Sequence, residues 1–203
     1  MAAPGKFHDG GYHATPLCGT FAAALVAGKL LHLGAEALAN ALGLSGSQAA
    51  GIQVFLFDGS WTKRLHPGWA GHSGIIATEL AGLGFKGPRR VLEGPFGFYS
   101  THLGKDNFSV KALTSGLGET WETLEISLKP YPCCHFNHAF MDAALELKKE
   151  ESLPLEEVEE IECRVPQPIV HIVCEPASLK AAPPAAYAAL FSTTLNTAIM
   201  RGW

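Results

Sequence analysis

The chain has no long hydrophobic run. Its longest apolar stretch, Phe21 to Leu33, is interrupted by Gly28, Lys29 and His32 and falls short of the ~20 residues that cross a bilayer. It has no basic excess either: 15 lysines and arginines stand against 19 acids, a formal charge of −4. That excludes general nucleic-acid binding and a membrane-surface role, both of which need positive charge, so any recognition of anions must be local. The five cysteines, Cys18, Cys133, Cys134, Cys163 and Cys174, form no even framework, and "MAAPGKFHDG" has no basic region followed by an apolar run. Reduced thiols in a cytosol-like compartment, or in a mitochondrion if the source is a eukaryote, are the expectation. The glycines of "GLGFKG" lack both a GK[ST] and a preceding strand, and "GPFGFYSTH" contains no nucleophile elbow. Phosphate-loop and serine-hydrolase chemistry are thereby excluded.

What is present is organised in two parts. "TPLCGTFAAALVAGKLLHLGAEALANALGLSGSQAAG" is rich in Ala and Leu and punctuated by Gly34, Gly43, Gly46 and Gly51, which predicts a helical hairpin whose second helix starts at Ala35–Glu36. Small residues at close spacing predict backbone-to-backbone packing. "GIIATELAGLGFKG" repeats the style of Gly19–Gly34, and each is preceded by a histidine-bearing loop. Further on, Trp121–Leu128 alternates apolar and polar residues and reads as a strand. "NHAFMDAALELKKEE" reads as an amphipathic helix with Phe140, Ala144, Leu145 and Leu147 inward. Alternation returns at Val158, Ile161, Cys163 and Val165, then at Val170, Ile172 and Cys174. The low-complexity stretch Ser178–Ala189 reads as a loop before a last helix from about Ser192. The expected organisation is therefore a helical domain over 1–125 and a smaller α+β domain over 126–203. Both ends read as cut.

Three stretches carry candidate chemistry. In "GYHATP", His13 precedes a helix expected from Thr15 or Pro16. The positive end of the helix dipole disfavours the imidazolium and leaves a neutral base; a loop histidine held by a hydrogen bond is the plainer alternative. "GSWTKRLHPGWAGHSG" places Lys63, Arg64, His66 and His72 together with no acid among them. Adjacent Lys63 and Arg64 point to different sides, and a helix expected from about Trp69 would offer free N–H groups to an anion. Surface and packing roles are the alternative. "KPYPCCHFNH" brings Cys133, Cys134, His135 and His138 to short spacing, but adjacent cysteines fit one ion poorly, so buried thiols are expected rather than zinc.

In order, "GYHATPLCGTFAAA", "ALGLSGSQAAG", "DGSWTKRLHPGWAGHSG", "FKGPRRVLEGPFGF", "GLGETWE" and "KPYPCCHFNHAFMDAAL" resemble the MmgE/PrpD family, which includes 2-methylcitrate dehydratase, cis-aconitate decarboxylase and iminodisuccinate epimerase. The resemblance runs from about Gly10 to the C-terminus. It implies a helical domain with a smaller α+β lid and a site in the cleft. It also implies a cofactor-independent lyase or isomerase acting on a small di- or tricarboxylate, with no metal. His13, Lys63 and Lys129 match the family's catalytic positions, and His66, His72 and Cys134 are further candidates for holding substrate. Cys134 stands where some decarboxylating relatives have histidine, and Leu195 where the family often has tyrosine. Family members are longer, and the absent N-terminal portion carries further pocket residues. The resemblance thus leaves a second reading, a non-catalytic copy acting through a partner chain, with homodimerisation or a complementary chain as the expected association.

Overall fold

The computed structural model describes residues 2–131, 133–151 and 154–174. The expected loop 178–189, the helix from Ser192 and Leu195 lie outside the described residues. Nine α-helices occur among those described: α1 Lys6–Asp9, α2 Ala14–Leu30, α3 Ala35–Gly46, α4 Phe55–Asp58, α5 Thr62–Gly82, α6 Phe98–Leu103, α7 Lys111–Thr114, α8 His138–Glu150 and α9 Gln167–Val173. None is long and apolar enough to cross a membrane. The chain separates into two compact units, 1–53 with 63–124, and 54–62 with 125–203.

In the first unit α2 and α3 form the expected hairpin, turned at His32, whose φ of 56° is left-handed. The third long helix, α5, runs parallel to α2. A Cβ placed on Gly19 would lie 3.1 Å from the Ala70 Cβ, one on Gly28 would lie 3.7 Å from Thr78 Cγ2, and one on Gly82 would lie 3.7 Å from Leu33 Cδ2. The contact pairs therefore advance together along both helices. Their closest approach is at Gly74, where a Cβ would sit 2.5 Å from the Ala23 Cβ and 2.7 Å from the Thr20 carbonyl oxygen. Only glycine permits this contact. Thr78 Oγ1 seals the seam by donating to the Ala24 carbonyl at 3.0 Å or that of Gly74 at 2.9 Å. The backbone-to-backbone packing expected from the small residues is present.

An aromatic core closes one side of this helical frame. Phe7, Leu17, Phe21, Ala49, Phe98 and Tyr99 are buried together, with the Phe21 and Phe98 rings edge to face at 4.9 Å. Buried aromatics of this size contribute roughly 2–3 kcal/mol each through the area removed from water.

Helix α5 corrects one expectation. The sequence reading placed a loop at His66–Pro67–Gly68 and a helix start near Trp69, whereas the helix begins at Thr62 and runs through Pro67. Proline removes one backbone bond, the one its N–H would give to the Lys63 carbonyl, at about 3 kcal/mol. Burial of Ala70, Ser73, Gly74, Ala77, Thr78 and Ala81 along a full helical face offsets that loss. No helix terminus follows His66, so the anion seat imagined there does not exist.

The second unit departs further from expectation. Residues 122–125 form a short 3₁₀ turn in place of the strand over Trp121–Leu128. Val170 and Ile172 lie in α9, which Pro166 and Pro168 start by their fixed φ. Alternation over so few residues could not discriminate strand from helix. No strand ladder occurs among the described residues, only an isolated bridge at Tyr12 and Ile52. The α+β character expected of 126–203 is thus absent from what is described: the alternating residues 158–165 have no neighbouring strand there with which to pair. In α8, Phe140 and Ala144 are half-buried as expected, but Leu145 and Leu147 are exposed.

Candidate active site

His13 is the N-cap residue of α2, with extended backbone (φ −88°, ψ 107°). Two short segments fix it. His13 N donates to the Gly51 carbonyl at 3.1 Å and Gln53 N donates to the Gly11 carbonyl at 2.9 Å, the two hydrogen bonds that flank the Tyr12–Ile52 bridge. Because α2 and α5 are parallel, their N-terminal turns lie side by side. His66, in the second turn of α5, therefore reaches His13.

The two imidazoles meet directly. His13 Nδ1 and His66 Nδ1 are 2.7 Å apart, with ring centroids 5.0 Å apart, and the residues are only 9% and 8% exposed. One nitrogen must carry the proton and the other accept it, so the pair cannot be doubly cationic in this geometry. Burial, then His66, Lys63 and His8 in order, push the His13 pKa down to about 4. Burial lowers that of His66 as well. At neutral pH the pair is uncharged; for His13 the causes are burial and its neighbours, not the helix start that the sequence suggested.

Lys63 lies one turn before His66 on α5 and is half-buried, while its neighbour Arg64 is exposed. The adjacent pair divides as the sequence implied. The lysine's charge is close enough to His13 to disfavour its imidazolium. Two residues were missed by the sequence reading. Gln53 is buried, and its Nε2 lies 2.6 Å from His8 Nδ1. An amide NH2 only donates, so His8 Nδ1 accepts and its proton sits on Nε2. His8 and His13 flank the glycine turn in "HDGGYH", and that spacing was the available signal.

Of the remaining predicted residues, His72 stands elsewhere in the first unit. His72 is exposed, its ring stacked on Trp69 at 5.2 Å, and the structure does not bring it to the histidine pair. Lys129 and Cys134 belong to the second unit. There Lys129 Nζ donates to the Cys133 carbonyl at 3.2 Å. The Cys134 carbonyl accepts from Asn137 N at 3.0 Å and from Cys133 Sγ at 3.6 Å.

The profile of the MmgE/PrpD N-terminal domain matches residues 1–111, and that of the MmgE/PrpD C-terminal domain matches residues 131–200. The chain belongs to the MmgE/PrpD family. Among curated relatives, a cis-aconitate decarboxylase of Aspergillus terreus is 31% identical over 146 residues, covering 70% of this chain and 30% of the relative. The cis-aconitate decarboxylase of Homo sapiens is 31% identical over 166 residues, covering 76% of this chain and 33% of the relative. A cis-aconitate decarboxylase-like protein of Aspergillus oryzae, oryM, is 28% identical over 144 residues, covering 68% and 30%. The chain thus spans about a third of the length of the curated relatives it matches.

Proposed function

We propose that this MmgE/PrpD chain serves a cofactor-independent lyase reaction on a small di- or tricarboxylate, with decarboxylation of cis-aconitate as the leading candidate. The observation that carries the reading is a neutral, buried His13 held at 2.7 Å by His66 beside the half-buried cation Lys63. A polycarboxylate needs a cation to hold it and to stabilise charge that builds when a carbon–carbon or carbon–oxygen bond breaks. It also needs a group that exchanges a proton at the adjacent carbon. Lys63 supplies the first and His13 the second. His66 acts at the histidine pair, and Lys129, His72 and Cys134 are candidates by the family resemblance alone. The cis-aconitate decarboxylases among the relatives favour loss of carbon dioxide over loss of water or epimerisation.

The test is carbon dioxide release and calorimetry with a panel of small polycarboxylates. Lys63→Ala is expected to weaken cis-aconitate or citrate binding by about 1–3 kcal/mol, as for a charge-assisted contact. Unchanged affinity would remove Lys63 from the site.

A second reading is a non-catalytic fragment or copy of such an enzyme that acts through a partner chain. Activity that appears only on mixing would select it. Under either reading we propose an α+β lid that includes residues 158–165.

A further inference from the structure

We propose that His13 and His66 work as one two-imidazole proton carrier, in which His66 holds the charge and His13 delivers the proton. The inference rests on the lyase reading above and on the direct 2.7 Å contact between the two Nδ1 atoms. With Nδ1 committed to His66, His13 exchanges protons with anything else through Nε2. In the loaded state His66 is an imidazolium that donates its Nδ1 proton to His13, and His13 is neutral with its proton on Nε2.

When a substrate carboxylate leaves as carbon dioxide, the electron pair of the broken carbon–carbon bond stays on the substrate. The His13 Nε2–H bond then breaks as a carbon–hydrogen bond forms. His13 would be left an imidazolate, but the shared proton crosses from His66 Nδ1 to His13 Nδ1. Both rings finish neutral: His13 with a bare Nε2, and His66 with its proton on Nε2. One proton from solvent reloads the pair, matching the one proton a decarboxylation consumes.

The surroundings favour this division of labour. His13 faces Lys63 from α5 and His8 from α1, and both oppose a positive charge on it. Burial lowers the pKa of His66 as well, but His66 lies beyond the first turn of α5, whereas His13 caps the positive end of α2. The extra proton therefore rests more easily on His66, and a bound polycarboxylate beside Lys63 would draw it in. Gln53, by fixing His8 through Nδ1, keeps that third imidazole out of the shared line.

The decisive measurement is a pH titration of the full chain labelled with ¹⁵N-histidine, reading all four ring nitrogens of the two residues. The expected result is joint titration: one proton enters the pair, the shifts of both rings move at one midpoint, and the cationic pattern appears at His66. Two independent midpoints, each unmoved when the other histidine is replaced, would overturn the proposal. A second measurement uses His66→Asn, whose side-chain oxygen can occupy the place of Nδ1 and hold the His13 ring but cannot carry the proton. Its turnover of cis-aconitate is expected to fall by about a hundredfold, with KM within about threefold and His13 titrating alone. Wild-type turnover in His66→Asn would equally overturn the carrier. A wild-type chain that titrates jointly but turns over no polycarboxylate counts against the functional reading, and the titration still decides whether the two rings share a proton.

Discussion

Gly74 of α5 lies so close to Ala23 of α2 that a side chain on it would penetrate its neighbour, with 2.5 Å between the two Cβ positions. This contact sets the spacing of two parallel helices whose N-terminal ends carry the histidine pair. Stability and site geometry are therefore coupled through a residue distant from the chemistry. Gly74→Val must push α5 away from α2 and break the Thr78 hydrogen bond to Ala24. A loss of about 2–4 kcal/mol in denaturant unfolding is expected. Gly71, on the same helix, has nothing within 4 Å of its Cβ position. Gly71→Ala should raise stability by about 0.5–1 kcal/mol through helix propensity. If both variants behave alike, the close seam is not what holds α5.

The histidine pair makes stability depend on pH with a definite sign. An unfolded histidine takes its proton near 6.5, whereas folded His13 resists until about 4. Between those values the unfolded chain binds more protons than the folded one, so stability is full above pH 6.5 and declines as the pH falls towards 4. The decline attributable to His13 reaches up to about 3 kcal/mol and levels off below its folded pKa. Melting temperatures across that window should fall for the wild type and fall less steeply for His13→Gln. Parallel curves would mean that folded His13 takes up its proton as readily as the unfolded chain does.

The cysteine-rich turn makes a third expectation. Cys133 is fully buried, with its sulfur 3.6 Å from the Cys134 carbonyl oxygen and 3.5 Å from Met141 Sδ. That sulfur is buried against the carbonyl and the thioether, and the adjacent Cys134 fits the same ion poorly. Chelator treatment should leave the melting temperature unchanged, and elemental analysis should find far less than one zinc per chain. Stoichiometric zinc lost together with the fold would reverse this assignment.

The sequence revealed the local features and hid those that depend on distant neighbours. The Ala- and Leu-rich hairpin was legible because propensity and glycine ends agree with its tertiary role. His13 at a helix start was legible from Pro16 and Thr15 nearby. Its partner was not: His66 lies 53 residues away, and only the parallel packing of α2 on α5 brings it near. Pro67 was misread as marking a helix start because local chemistry suggests one, while the buried face of α5 overrides it. The strand-like runs at 121–128 and 170–174 failed for the opposite reason. Period-two alternation signals a strand only where a neighbouring strand exists to receive it.

The last expectation concerns association. The C-terminal ends of α2 and α5 lie together, as the approach of Leu33 to Gly82 shows. That end exposes Leu30, Leu31, Leu83 and Phe85, with Leu83 86% exposed. Phe96 stands 95% exposed in the left-handed backbone region, at φ 60°, a conformation that a large side chain seldom adopts in isolation. In the second unit Leu145 and Leu147 are exposed on α8. Large apolar residues grouped in this way favour association over a dispersed monomer. The 203-residue chain should therefore sediment as a dimer or larger species. Leu83→Glu combined with Phe85→Glu should shift it towards monomer without lowering the melting temperature by more than a few degrees, since neither side chain is in the core. A dispersed monomer in the wild type, at concentrations of tens of micromolar, would show that these side chains are tolerated in water. Should the double variant instead unfold, the α2–α5 end would be part of the core after all.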